Sequence, residues 1–457
     1  MAESSFDCIV IGSGPGGYVA AIRAAQLGMK TAVVERDDVV GGRCLNYACI
    51  PAKAVLRAAD VFTEVQEAGS FGIEVEGATV DFAGVAKHRD GVIKTLTSGV
   101  AGLFDKNKVE LFRGQGTLTA EGKVEVGDDL LSAKTIVLAT GSVARPLLGL
   151  EFGDRILDTA GAWTLTELPK RLAVIGAGAS GTEIASAYGR LGTAVTLYEA
   201  LPLILPLEDK DIARTAAREI GKQGINVVTD AKIESVETTA KTVKVKIGDE
   251  TATFDYLAIA AGRGADVEGL GLDAAQIKTD ERGLVEVDGS MRSSREGIYA
   301  IGDLVPGPAL AHKASDEGVI AVEHAAGLDP HPLDYEFIPA VTFCHPQIAS
   351  FGMTEQQAKD AGHDVIAKRI PLGAVGAPTV FGEKGGIIKI VGDKKYGELL
   401  GAGIVSAKAA DLIQELVQAH ALEGGFAEVA RTVHAHPTYS EAVLEAARAV
   451  DGWLIHG

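Results

Sequence analysis

A pattern that occurs twice constrains this chain more than any other feature. The apolar run Asp7-Cys8-Ile9-Val10-Ile11 leads into Gly12-Ser13-Gly14-Pro15-Gly16-Gly17, a helical stretch through Leu27, and a second apolar run from Thr31 to Val34 that ends at Glu35. The same order returns as Leu172-Ala173-Val174-Ile175, Gly176-Ala177-Gly178-Ala179-Ser180-Gly181, a helical stretch through Leu191, and a run from Ala194 to Tyr198 that ends at Glu199. In both copies the acid stands 23 positions after the first glycine. Short apolar runs bounded by glycine and alternating with helices predict strands of a parallel sheet. Each copy continues into alternating β-rich sequence (108–126 and 225–254) and reaches an apolar strand ending in glycine, at Gly141 and Gly262. From about Asp334 the character shifts to strand-like stretches and an amphipathic helix over 407–421, which predicts a separate α+β domain.

G-x-G-x-x-G between strand and helix is the fingerprint of a dinucleotide site. The first glycine makes the turn, the second lets backbone approach a pyrophosphate, and the third lets helix and strand pack closely. The helix N-terminus attracts the phosphates. Gly12, Gly14 and Gly17 with Glu35, and Gly176, Gly178 and Gly181 with Glu199, therefore predict two dinucleotides. An acid at the end of the second strand binds a ribose 2′-hydroxyl and repels a 2′-phosphate. No arginine follows Glu199 closely (Ala200, Leu201 and Pro202 come next), which favours NAD over NADP.

Downstream of the first fingerprint lies Gly41-Gly42-Arg43-Cys44-Leu45-Asn46-Tyr47-Ala48-Cys49-Ile50-Pro51. Two cysteines beside a cofactor able to take electrons suit redox chemistry. Five residues apart on an ideal helix, they rise about 7.5 Å and lie about 140° apart. That separation exceeds the roughly 7 Å between Cα atoms that a disulfide bridges. Cys44 is therefore expected on the loop entering the helix, or the first turn is deformed; Pro51 fits an irregular first turn.

A chain of 457 residues calls for several cores. With 43 Lys and Arg against 62 Asp and Glu, the net charge is −19, which argues against nucleic acid or an anionic membrane as main partner. No apolar run approaches a membrane span. The opening Met1-Ala2-Glu3-Ser4-Ser5-Phe6-Asp7 reads as neither signal nor transit peptide, and the expectation is a cytoplasmic protein. Four cysteines are no structural framework, and without a second Cys/His pair at ligand spacing no metal is expected. Cys8 and Cys344, in apolar runs, are expected to be inert core thiols.

With these motifs in place, the whole chain resembles the pyridine nucleotide–disulfide oxidoreductases. Three stretches point to the branch that oxidises dihydrolipoyl groups: Leu103-Phe104-Asp105-Lys106-Asn107-Lys108-Val109, Gly307-Pro308-Ala309-Leu310-Ala311-His312-Lys313-Ala314 and His434-Ala435-His436-Pro437-Thr438. The resemblance implies four domains: FAD-binding (1–145), NAD-binding (146–265), a central domain completing the FAD site (266–333) and an interface domain (334–457) of a homodimer. It implies that the first fingerprint with Glu35 holds the ADP half of tightly bound FAD, and that Asp303 binds its ribityl and pyrophosphate region. The second fingerprint with Glu199 then holds NAD⁺/NADH. Gly42, Gly141 and Gly262 join the cofactor-binding set, and Lys53 pairs with Glu183 near the flavin. Cys49 becomes the flavin-proximal thiol and Cys44 the exchanging one. His436, oriented by Glu441 and contributed by the partner subunit, is the implied base. A packing or hydrogen-bonding role is at least as reasonable for His434. The implied partner is a lipoyl-bearing protein, whether a 2-oxoacid dehydrogenase acyltransferase, the H protein of glycine cleavage or a specialised carrier. Reduction of another disulfide by NAD(P)H, or a redox-signalling subunit, are the alternatives.

The sequence departs from the usual family motif at Arg43 (for Thr), Tyr47 (for Val), Ala48 (for Gly) and Ala52 (for Ser). Arg43 either favours the Cys44 thiolate or points away from it.

Overall fold

The computed structural model describes residues 2–457, which divide into two compact units. The first comprises residues 2–54, 86–145 and 262–335. Its sheet runs Glu110–Arg113, Thr31–Glu35, Ala2–Ile11, Asp129–Leu138, Val124–Val126 and Thr117–Leu118, with Ile298–Ala300 also paired to Asp129–Leu138. The first four strands and Ile298–Ala300 are parallel, and Ile11 lies level with both Val34 and Leu138. Helix Pro15–Gln26 buries Gly16, Gly17, Ala20, Ala21 and Ala24. Small side chains let it lie close to helix Ala311–Ala325: a Cβ on Gly318 would fall 2.7 Å from the Gly16 carbonyl oxygen.

The second unit comprises 55–85, 146–261 and 336–457. It repeats the architecture in a parallel sheet ordered Asn226–Val228, Ala194–Tyr198, Arg171–Ile175, Tyr256–Ile259 and Ile156–Leu157. A three-stranded antiparallel sheet, Ser235–Thr238 to Glu250–Phe254, follows the second fingerprint. The C-terminal portion is α+β: five antiparallel strands ordered Ala340–Thr342, Gln347–Gly352, Leu399–Ser406, Ile387–Asp393 and Val365–Pro371. Helices Ala409–Ala421, Phe426–Arg431 and Ser440–Val450 contribute with this sheet to one apolar core built around Ile388, Ile390, Ile404, Leu416 and Val443. Leu399–Ser406 is buried along its whole length, as a central strand covered on both faces must be. No helix among the described residues is long and apolar enough to cross a membrane.

Beside this sheet, Lys389 is only 4% exposed and is ringed by Asp209 (2.9 Å), Asp211 (2.9 Å) and Glu355 (2.8 Å). Glu208 accepts from the Ser350 hydroxyl at 3.1 Å, while its second oxygen is sealed from solvent with no hydrogen-bond partner. Burial pushes its carboxyl from 4.5 up to about 7. The folded chain therefore holds this proton where the unfolded chain has lost it, and stability falls as the pH rises from 4.5 to about 7. Glu208→Gln is expected to raise the melting temperature at about pH 8, by an effect of at most about 3 kcal/mol, and to leave it near the parent's at about pH 5. Parallel melts at the two pH values check this; an equal shift at both would refute it.

Candidate active site

The carboxyl ends of the parallel strands in the first unit open into a cleft of about 1260 Å³, its open mouth included. Gly12, Gly14, Glu35, Gly42, Cys44, Cys49, Gly141 and Asp303, all singled out from the sequence, line it together. Helix Pro15–Gln26 starts there at Gly14 with no side-chain cap on its first turn, and a Cβ at Gly14 or Gly141 would meet nothing within 4 Å. Bare backbone and uncapped N–H groups are what an anion at a helix N-terminus needs, so these residues fit the pyrophosphate of FAD. Gly17 lies under the turn, where a Cβ would fall 2.0 Å from the Gly12 oxygen. Glu35, buried at the end of its strand, accepts from the backbone N–H groups of Ser13 and Asp37, each at 2.9 Å.

The redox turn is built onto this loop. Gly41 N donates to the Ser13 carbonyl at 3.1 Å and to its hydroxyl at 3.0 Å. Gly42 has φ +57°, and a Cβ there would lie 2.6 Å from Gly14 Cα. Cys44 sits on a separate short helix, Gly42–Asn46; Tyr47 breaks it at φ −131° and Cys49 opens helix Cys49–Glu67. The expected loop is thus a turn of helix, and the break supplies the deformation that a Cys-x4-Cys contact requires. Both residues are thiols and hydrogen-bond to each other. That bond, burial, and negative charge on Cys49 and Asp303 push the Cys44 pKa up, while Lys53, one turn beyond Cys49, pulls it down. Lys53 is thus a cation acting on Cys44.

Asp303, on the turn Gly302–Leu304, accepts from the Ser142 hydroxyl and pairs with Arg263 at 3.3 Å. Sequence reasoning missed both partners. The signal was their place directly after Gly141 and the strand-ending Gly262; an antiparallel pairing of Arg263–Ala265 with Ser142–Ala144 brings them together. Also missed was a buried pair behind the turn, Lys313 and Glu317 at 3.1 Å. Lys313 donates to the Gly302 carbonyl at 2.8 Å and Glu317 accepts from Gly302 N at 2.7 Å, fixing the backbone that carries Asp303.

In the second unit the other fingerprint repeats these devices. Helix Ala179–Arg190 starts at Gly178, again without a side-chain cap, and a Cβ at Gly181 would fall 1.8 Å from the Gly176 oxygen. Glu199 accepts from Ala177 N at 2.8 Å and Leu201 N at 2.9 Å, matching the two backbone bonds of Glu35. Gly262 belongs to the first unit and lies beyond strand Tyr256–Ile259. Glu183, buried on the same helix, accepts from Phe343 N at 2.8 Å.

Near the C-terminus His436 Nδ1 stands 2.8 Å from Glu441, and its side chain is 76% exposed. Glu441, the second residue of helix Ser440–Val450, also accepts from Thr438 N at 2.9 Å. Burial pushes its pKa up, but the hydrogen bonds from Thr438 and His436 outweigh this and hold it below the usual range. His434 instead bridges Glu415 at 2.5 Å and the Thr432 carbonyl at 2.8 Å, and its pKa is raised chiefly by Glu415; this is a fixed hydrogen-bonding residue. Cys8 and Cys344 are buried, and burial pushes the Cys8 thiol up to about 12.

Against known proteins, the profile described as pyridine nucleotide-disulphide oxidoreductase matches residues 6–318, and that of the corresponding dimerisation domain matches 338–447. The dihydrolipoyl dehydrogenase of Geobacillus stearothermophilus is 43% identical over 460 residues, covering 98% of this chain and 97% of the relative. That of Bacillus subtilis is 40% identical over 473 residues, covering 99% of each. Among solved structures, LpdA from Mycobacterium tuberculosis superposes with TM-score 0.90 at 26% identity, covering 97% of this chain and 99% of that one.

Proposed function

The chain belongs to the pyridine nucleotide-disulphide oxidoreductase family, and from that premise we propose that it is a dihydrolipoyl dehydrogenase, oxidising protein-bound dihydrolipoyl groups with NAD⁺. One observation carries the reading: the hydrogen-bonded thiols Cys44 and Cys49 line the same cleft as the first fingerprint and Asp303. FAD, when bound there, supplies a two-electron relay from the cysteine pair to NAD⁺.

The chain's own residues do the rest. In the oxidised enzyme Cys44 and Cys49 are joined. His436 of the partner subunit, held by Glu441, removes a proton from one substrate thiol, since the thiolate is the nucleophile. That thiolate attacks Cys44 Sγ; the Cys44–Cys49 bond breaks and Cys49 leaves as thiolate. The second substrate thiol, deprotonated in turn, displaces Cys44 and closes the cyclic lipoyl disulfide. The substrate loses two electrons and the cysteine pair gains them. Lys53, which favours thiolate at Cys44, steadies the reduced pair, and its proposed partner is Glu183. Glu35 receives the adenosine ribose of FAD and Glu199 that of NAD. On this reading the segments 1–145, 146–265, 266–333 and 334–457 serve as flavin, nicotinamide, central and interface domains of a homodimer. The physiological partner is a lipoyl-bearing protein, and few, unframed cysteines suit the reducing cytoplasm.

Anaerobic addition of dihydrolipoamide to the purified flavoprotein, then of NAD⁺, tests the reading. The expected result is loss of the oxidised-flavin absorbance, then its return as NADH appears. Inertness to dihydrolipoamide in a protein that NADH reduces readily would reject the lipoyl substrate and favour a different disulfide.

A further inference from the structure

The loop that carries His436 and Glu441 rests on a second segment, which the thiol chemistry leaves unused. Residues 376–383 open with helix Gly376–Val380, whose Ala377 and Pro378 are buried. The chain then folds back on this helix: Phe381 N donates to the Ala377 carbonyl at 3.0 Å and Glu383 N to the Pro378 carbonyl at 2.8 Å. The segment meets the histidine loop at two places. At the first, a Cβ on Gly376 would lie 3.9 Å from both His436 Cε1 and Pro437 Cβ, so the glycine stands directly beside the imidazole. At the second, the Phe381 ring stacks on that of Tyr439, with centroids 5.9 Å apart and planes 27° apart. There the Tyr439 hydroxyl donates to the Glu383 carboxylate at 2.5 Å. Tyr439 is only 9% exposed. Burial, then the bond to Glu383, push its pKa up, so the phenol keeps its proton and remains the donor.

Tyr439 immediately precedes helix Ser440–Val450, and its carbonyl accepts from Ala442 N at 3.0 Å in the first turn. Glu441 is the second residue of that helix. Thr438 closes the loop between histidine and helix: its hydroxyl donates to the Ala435 carbonyl at 2.8 Å and its N–H to Glu441 at 2.9 Å. Whatever anchors Tyr439 therefore anchors the backbone that carries Glu441, and Glu441 in turn holds His436.

We propose that Tyr439 is a positioning residue for the thiol chemistry: its bond to Glu383 fixes the start of helix Ser440–Val450, so that Glu441 holds His436 in the orientation that receives the proton. The proposal rests on the reading that His436 is the base. A phenol donating to a carboxylate makes a charge-assisted bond, stronger than a neutral one. Phenylalanine at 439 keeps the ring that stacks on Phe381 and removes this bond alone.

The test compares dihydrolipoamide-driven NADH formation with NADH-driven quinone reduction on flavin-loaded protein. The variants are Tyr439→Phe, Glu383→Ala, Glu383→Gln, His436→Ala and the double variant of Tyr439→Phe with His436→Ala. Tyr439→Phe and Glu383→Ala are expected to slow dihydrolipoamide oxidation about 5- to 10-fold, in kcat rather than KM, with quinone reduction at the parental rate. Glu383→Gln, whose amide oxygen still accepts, is expected to stay within about 3-fold of the parent. Added to His436→Ala, Tyr439→Phe should have no further effect, because it acts through the histidine. A parental rate with dihydrolipoamide in Tyr439→Phe would overturn the proposal. So would an equal loss of both activities, or a further loss in the double variant, since the tyrosine would then serve the fold and not the base. If His436→Ala itself oxidises dihydrolipoamide at the parental rate, the proposal and the reading beneath it fall together.

Discussion

His436→Ala is expected to lower dihydrolipoamide-driven NADH formation about 10²- to 10⁴-fold, the usual contribution of a positioned general base. NADH-driven reduction of a quinone, which needs no thiol deprotonation, should continue. With Nδ1 bound to Glu441, the imidazole turns its other nitrogen away from the carboxylate, and a neutral ring in that tautomer can accept a proton there. Glu441 is fixed by Thr438 as well as by the histidine, so the orientation does not depend on His436 alone. The side chain is exposed and fills no core, so its loss should cost little stability. Steady-state rates with both acceptors on flavin-loaded protein check the prediction. Loss of both activities would remove His436 from the thiol chemistry.

The second large effect separates the two nucleotide sites. A methyl group at Gly17 or Gly181 would lie 2.0 Å or 1.8 Å from a carbonyl oxygen of its own fingerprint turn, far inside van der Waals contact. Neither side can yield: one is helix and the other the fingerprint turn against which it packs. Gly181→Ala is expected to raise the KM for NAD⁺ by about 10-fold or more, with FAD content unchanged. Gly17→Ala should yield protein depleted of FAD. Flavin absorbance per chain and NAD⁺ titrations distinguish them, and an NAD⁺ defect in Gly17→Ala with normal flavin content would reverse the assignment of the sites.

Much of this architecture was legible in the sequence because it is written locally. Strand, glycine turn, helix, strand and acid are consecutive, and each element's period and punctuation can be read within about 30 residues. The cysteine pair was legible for the same reason, whereas the His436–Glu441 pair came from the family resemblance of the stretch around His436. Less legible were contacts made by distant segments. Ser142 and Arg263 meet Asp303 only because two short strands pair antiparallel. Lys313 and Glu317 stand one helical turn apart, a spacing usually found on solvated faces, and only the packing of other segments buries them. For Cys44 the reach of a disulfide left either a loop or a deformed first turn open, and five residues carry too little periodicity to reveal the short helix that bears it.

The division of the chain has a consequence for its synthesis. Each unit is made of three separated segments, and the polypeptide passes from one unit to the other five times before it ends. A ribosome that has released the first fingerprint, the cysteine pair and strand Asp129–Leu138 has still not delivered Arg263, Asp303 or strand Ile298–Ala300. The first unit therefore closes only after nearly three quarters of the chain has emerged, although its opening strand is the first to appear. Until then strand Asp129–Leu138 lacks its neighbour Ile298–Ala300, and the long intervening segments must be ordered before that contact is gained. On the reading that this unit binds FAD, nucleotide uptake is in this way a late event of biosynthesis.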